Sequence, residues 1–222
     1  AALDANTTAN NNTGVGYHAL KANTTGASNT AVGTQSLDAN TTGADNTAIG
    51  KGALTSNTTA SFNTAVGNDA LRDVTTNTNN VAMGVNAALT AVGSYNVAIG
   101  NNTFRGTSNS GSNSTAIGYN SLNANTTGEE NVAVGSGSLS ANTTGGYNVA
   151  VGKGALASNT TGAYNTVVGR LAMEDNTTAN YNTAFGYMSL ANNTTGTRNT
   201  AVGVGAADAC VDGANDNIAI GY

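Results

Sequence analysis

The sequence predicts an all-β protein, a parallel β-solenoid (β-roll) of about thirteen coils with a 17-residue period. Three observations predict it. First, the phrase Asn-Thr/Val-Ala-Val/Ile-Gly closes on a glycine thirteen times, at Gly16, Gly33, Gly50, Gly67, Gly84, Gly100, Gly118, Gly135, Gly152, Gly169, Gly186, Gly203 and Gly221. The spacing is 17 except for one 16 and two 18s, and the 16 and the first 18 cancel. Second, two columns of large apolar residues hold phase with that glycine, which a disordered low-complexity chain has no reason to do. Third, 17 residues are too few for a helix pair with its turns, since helical repeats need about 33 or more.

Each element of the repeat has a reading. Thr-Ala-Val alternates at period 2 and predicts a short strand. The residue before the glycine (Val32, Ile49, Val66, Met83, Ile99) forms the first bulky column, and Leu20, Leu37, Leu54, Leu71, Phe104 and Leu122 begin the second, four residues past the glycine. Stacking is expected to bury both columns as one continuous core. The alanine between (Ala31, Ala48, Ala65) points to the opposite strand face. It marks either a tight inner corner or a flat face packed on another chain, and the shortage of large apolar residues favours oligomerisation. The asparagine that opens the phrase suits a left-handed turn and an amide ladder. Stacked coils lie about 4.8 Å apart, so thirteen would make a rod of roughly 60 Å. The chain reads as a single array over 1–222, with irregular coils at about 71–114 and 204–217. In the first of these, Val74-Thr75-Thr76, Thr90-Ala91-Val92-Gly93 and Gly106-Thr107-Ser108 replace the usual turn.

Composition narrows the function. Only 9% of residues are charged, the net charge is −5, Gly reaches 29 and Pro and Trp are absent. With no basic stripe, nucleic acid is not an expected partner. No apolar run reaches the roughly 20 residues of a membrane span. No signal peptide is visible and the chain does not begin with Met, as expected of a mature product or an excerpt. The single Cys210 cannot form an internal disulfide.

The phrase Asn29-Thr30-Ala31-Val32-Gly33, followed by Ser36-Leu37 and Asn40-Thr41-Thr42-Gly43, resembles the head repeats of YadA-type trimeric autotransporter adhesins. It is also similar to repeats of phage tail fibres and bacterial surface proteins. The resemblance covers the whole chain, although the period is three residues longer than in the adhesin heads. It implies a left-handed parallel β-roll, a trimeric assembly and an extracellular location, on a cell-surface appendage or a virion fibre.

Residues that could carry chemistry are few. Asn-Thr-Thr recurs at Asn6, Asn23, Asn40, Asn57, Asn125, Asn142, Asn159, Asn176 and Asn193, and each is a formal N-glycosylation sequon. The alternative is a turn with a threonine ladder. Tyr147, Tyr164 and Tyr181 occupy one column in consecutive coils and are expected to stack as an aromatic ladder, with sugar binding as the sharper reading. Regular threonines raise ice binding as a minor alternative; against it, Thr30 shares a face with the valine expected in the core. His18 falls in a variable column. Asp208, Asp212 and Asp216 lack a calcium-loop pattern. Gly14-Val15-Gly16 and Gly203-Val204-Gly205 are products of the repeat rather than phosphate loops. No His, Cys or acidic column recurs, so neither catalysis nor a cofactor or metal is expected.

Joining the end of the chain to its start puts Gly221-Tyr222 before Ala1-Ala2-Leu3, with Leu3 four residues past a glycine, as in regular coils. The expectation is head-to-tail continuation. Taken together, the sequence predicts a structural subunit of an extracellular filament or fibre shaft that assembles with itself. The alternative is an adhesin head or tail-fibre segment binding surface glycans.

Overall fold

The computed structural model describes residues 1–90, 92–106, 110–208 and 213–222. The protein is all-β, a parallel β-solenoid, with no helix among the described residues. Two compact units divide it, Ala1–Ser110 and Gly111–Tyr222. The first carries β1 (Thr13–Val15), β2 (Thr30–Val32), β3 (Thr47–Ile49), β4 (Thr64–Val66), β5 (Val81–Met83) and β6 (Val97–Ile99). The second carries β7 (Thr115–Ile117), β8 (Val132–Val134), β9 (Val149–Val151), β10 (Thr166–Val168), β11 (Thr183–Phe185), β12 (Thr200–Val202) and β13 (Ile218–Ile220).

Within each unit every strand pairs in parallel with the next coil's strand, like residue on like. Thr30 lies against Thr47, Ala31 against Ala48 and Val32 against Ile49. The short coil pairs Val81 with Val97 and the long one pairs Thr200 with Ile218, so the irregular spacings are absorbed outside the strands. Hydrogen bonding extends well beyond the three-residue strands. Leu37 N–H donates to Ala53 O (3.0 Å) and Thr41 N–H to Thr58 O (2.9 Å), while Gly33 N–H and Asp45 N–H reach back to Val15 O (2.8 Å) and Ala27 O (3.0 Å). Few backbone groups are left for solvent, which is what makes so polar a coil stackable.

Three left-handed residues per coil bend the chain. In the coil after Gly33 they are Gln35 (φ 59°), Leu37 (φ 49°) and Asp45 (φ 56°). The asparagine that opens the phrase is not among them; the residue before it is, as with Asp45 before Asn46. The expected left-handed turn thus sits one residue earlier. The anchor glycine has a separate constraint. At Gly50 the backbone has φ 134°, and a Cβ would lie 2.4 Å from the carbonyl oxygen of Gly67 in the next coil.

The core differs from expectation in one column. Leu20, Leu37, Leu54, Leu71, Phe104, Leu122, Leu139, Leu156, Met173 and Leu190 are fully buried, as predicted. The Val/Ile column is not core. Ala31 is 0% exposed and its neighbour Val32 36%; Ala48 is 0% and Ile49 41%; Ala184 is 1% and Phe185 56%. The alternation of faces was right and its direction inverted. The interior is narrow, with leucine across from the strand, and the facing site takes a small residue, alanine in most coils, with Gly14 and the fully buried Val167 as exceptions; the large apolar residue and its partner on the other strand face turn outward. Alanine therefore occupies the inner side and does not mark a contact with another chain. In the irregular coil after Gly84, Ala88 takes the leucine site with φ 48°, and buried Leu89 and Val92 supply the missing bulk.

Candidate functional site: the outer sheet face and the tyrosine stack

The Asn-Thr-Thr triplet is resolved by its hydrogen bonds. Asn23, Asn40, Asn57, Asn125, Asn142, Asn159, Asn176 and Asn193 are buried, and Asn6 is half-buried. Asn40 Nδ2 donates to Asn23 Oδ1 (2.7 Å) and to Gly43 O (2.9 Å), and Asn57 Nδ2 donates to Asn40 Oδ1 (2.7 Å). The same ladder runs from Asn125 through Asn142 and Asn159 to Asn176. These amide nitrogens are the atoms a glycan would occupy, and they are committed inside the coil. The sequon reading therefore fails for the eight buried asparagines, because a sugar there would break the ladder. Asn57 Oδ1 ends its run without a partner where Val74 replaces the next asparagine. A second amide row stands beside the first. Asn29 Oδ1 accepts from Asn46 N–H (3.0 Å), and Asn29 Nδ2 donates to Gly43 O (2.8 Å).

The two threonines of the triplet part company. Thr41 Oγ1 donates to Thr58 O (3.0 Å), and Thr143 Oγ1 repeats the bond to Thr160 O (2.9 Å). Thr42 and Thr144, one residue on, are exposed.

The outer face of the strands is the first candidate surface. In β1 to β4 it presents Thr13/Val15, Thr30/Val32, Thr47/Ile49 and Thr64/Val66, four consecutive coils of one hydroxyl and one branched apolar side chain. In the second unit it presents Thr115/Ile117, then Val132/Val134, Val149/Val151, Thr166/Val168, Thr183/Phe185 and Thr200/Val202. No strand carries a charged residue on this face. The signal for it was in the sequence. Eight of the thirteen phrases place threonine on the same strand face as the valine column, and a buried face would have had to satisfy each hydroxyl.

The second candidate surface is aromatic. Tyr147 and Tyr164 stack with ring centroids 4.9 Å apart and planes 2° from parallel, and Tyr164 and Tyr181 with 5.1 Å and 7°. The three rings are 46%, 48% and 59% exposed. Their backbones are equivalent, with φ of 61°, 59° and 58°, and each N–H donates to the preceding coil, as Tyr164 N–H does to Gly146 O (3.1 Å). The Glu130 carboxylate, then neighbouring Tyr164, desolvation and Glu129, hold the Tyr147 phenol above the usual tyrosine value. The corresponding sites in the first unit include Phe62 and Tyr95, separated by Asn79.

The remaining candidates do not converge. His18 is half-buried and stacks on Tyr17 at 3.8 Å. Asp216 is exposed and pairs with Arg198 through two bonds of 2.6 and 2.9 Å, which lowers its pKa. Asp208 is half-buried. Cys210 and Asp212 lie outside the described residues, as do Ala91, Thr107 and Ser108. Ala1, Ala2 and Leu3 belong to the first unit, Gly221 and Tyr222 to the second. Among the described residues no cluster of three His, Cys, Asp or Glu could hold a metal, and no helix is long and apolar enough to cross a membrane. No family model, no curated protein and no solved structure matches the chain.

Proposed function

We propose that this chain is a structural subunit of an extracellular filament or fibre shaft, assembling with further copies of itself. One observation carries the reading: the large apolar row faces outward, so each unit presents an uncharged strip of Val, Ile, Met or Phe beside Thr, Val or Ile. Exposed apolar residues arranged in a contiguous row mark interaction surfaces far more often than scattered ones do. A second copy is the favoured occupant because the strip is self-complementary. It repeats at the same spacing in every copy, and it has no charge with which to address a partner of opposite sign. Sedimentation velocity over a concentration series tests this. The wild type is expected above monomer mass, and a variant with glutamate on both strips, Val32→Glu and Ile49→Glu with Val134→Glu and Val151→Glu, at monomer mass with an unchanged circular dichroism spectrum. A wild type that stays monomeric throughout overturns the proposal.

The outward Thr-Ala-Val rows also favour a second reading, ice binding. The objection to it was that Thr30 would share a face with a buried valine, and that valine is exposed. A monomeric wild type that shapes ice crystals and holds their growth below the melting point would replace assembly with this function. A monomer with neither property sinks both. Glycan capture on the tyrosines fits less well, because a sugar stacks on the face of a ring, and these rings cover one another's faces.

A further inference from the structure

All eight tyrosines of this chain are exposed, and three of them form a stack at solvent. A stack that contributes nothing to the core is open to chemistry on its ring edges. We propose that Tyr147, Tyr164 and Tyr181 form an oxidative cross-linking site, at which Tyr164 couples to a neighbour to give an intrachain dityrosine joining adjacent coils.

The chemistry balances as follows. A peroxidase with hydrogen peroxide removes one electron and one proton from each of two phenols. The peroxide takes up both electrons and both protons and leaves as two waters. The two phenoxyl radicals join through the ring carbons ortho to oxygen, forming one carbon–carbon bond. Each coupled ring then moves its ortho hydrogen to oxygen and regains aromaticity, so the product has lost two hydrogen atoms.

Geometry selects the pair. Radical coupling is ordinarily limited by encounter, and holding the partners side by side turns it into a unimolecular step. Equivalent backbones anchor the three residues, and coupling requires their exposed rings to turn from a face-to-face stack into an edge-to-edge bond. Among the described residues no other tyrosine stacks on a second tyrosine; Tyr17 stacks on His18 and Tyr187 lies under Arg170. The chain has no Trp to intercept the radical, and a Cys210→Ser background removes its one thiol.

Peroxidase treatment of the full chain in that background, followed by a denaturing gel and tryptic mapping, tests the proposal. Lys153 and Arg170 separate the three tyrosines into three peptides. The expected product runs at monomer mass, shows dityrosine fluorescence, and joins the peptide holding Tyr164 to one of its two neighbours with two hydrogens lost. Tyr164→Phe, which keeps a ring but has no phenol, should lose this monomer-mass fluorescence, and Tyr95→Phe should keep it. The proposal is overturned by unchanged fluorescence in Tyr164→Phe, by cross-links mapping to other tyrosines, by products found only between chains, or by no dityrosine at all. None of these readouts depends on whether the chain assembles.

Discussion

Gln35 and Leu37 lie two residues apart in one coil, both in the left-handed region at φ 59° and 49°. That conformation costs an L-residue about 1–2 kcal/mol. Leu37 offsets it by filling the core, where burying its side chain is worth about 1.5–3 kcal/mol. Gln35 is exposed and gains nothing comparable. Four other coils already use glycine at its site, at Gly52, Gly137, Gly154 and Gly205. Gln35→Gly is therefore expected to stabilise the protein by about 0.5–1 kcal/mol, read as a raised denaturation midpoint. The opposite is expected of Asn40→Ala. It removes the donor to Asn23 Oδ1 and the acceptor for Asn57 Nδ2, so it should cost roughly 2–4 kcal/mol. Hydrogen exchange should localise the damage to the coils holding Asn23, Asn40 and Asn57, because each coil touches only its neighbours.

At the scale of the element, the strand has a decided inside and outside. Ala31 and Val32 are adjacent and both apolar, yet the smaller is sealed and the larger lies at the surface. At concentrations where the chain is monomeric, Val32→Ser should change stability by less than about 1 kcal/mol, as expected of a surface substitution. Ala31→Asp should cost several kcal/mol or prevent folding, since it places a carboxylate among leucine and alanine side chains without a partner. Thermal melts of the two variants compare them directly; a larger loss for Val32→Ser would reverse the assignment of faces. Periodicity placed alanine and valine on opposite sides, and size made valine the expected inner residue, which the structure reverses. The threonine two residues before valine pointed the other way, but the width of the coil is what decides the direction.

For the molecule as a whole, stability within each unit is a sum over coils and coil–coil interfaces, with no large separate core. Its association should follow the chemistry of the outer strip. Because that strip is uncharged, screening has nothing to act on, and the sedimentation coefficient should hold between low and high sodium chloride. Dissociation by salt would place the contact on charged residues instead, such as the Arg198–Asp216 region.

Period, register, the leucine column and the amide row of the phrase-opening asparagines were legible in the sequence, because in-register stacking sets each residue against its own equivalent and the repeat is then its own alignment. The same rule made the tyrosine column readable from three consecutive coils. Three things needed the tertiary structure. The direction of the strand faces depends on the width of the coil, which no single repeat states. The commitment of the sequon asparagines depends on which side of the turn the amide enters, and the formal motif is blind to that. The left-handed leucines run against local preference altogether, and only the closed coil, which turns that side chain inward, makes their strain worth bearing.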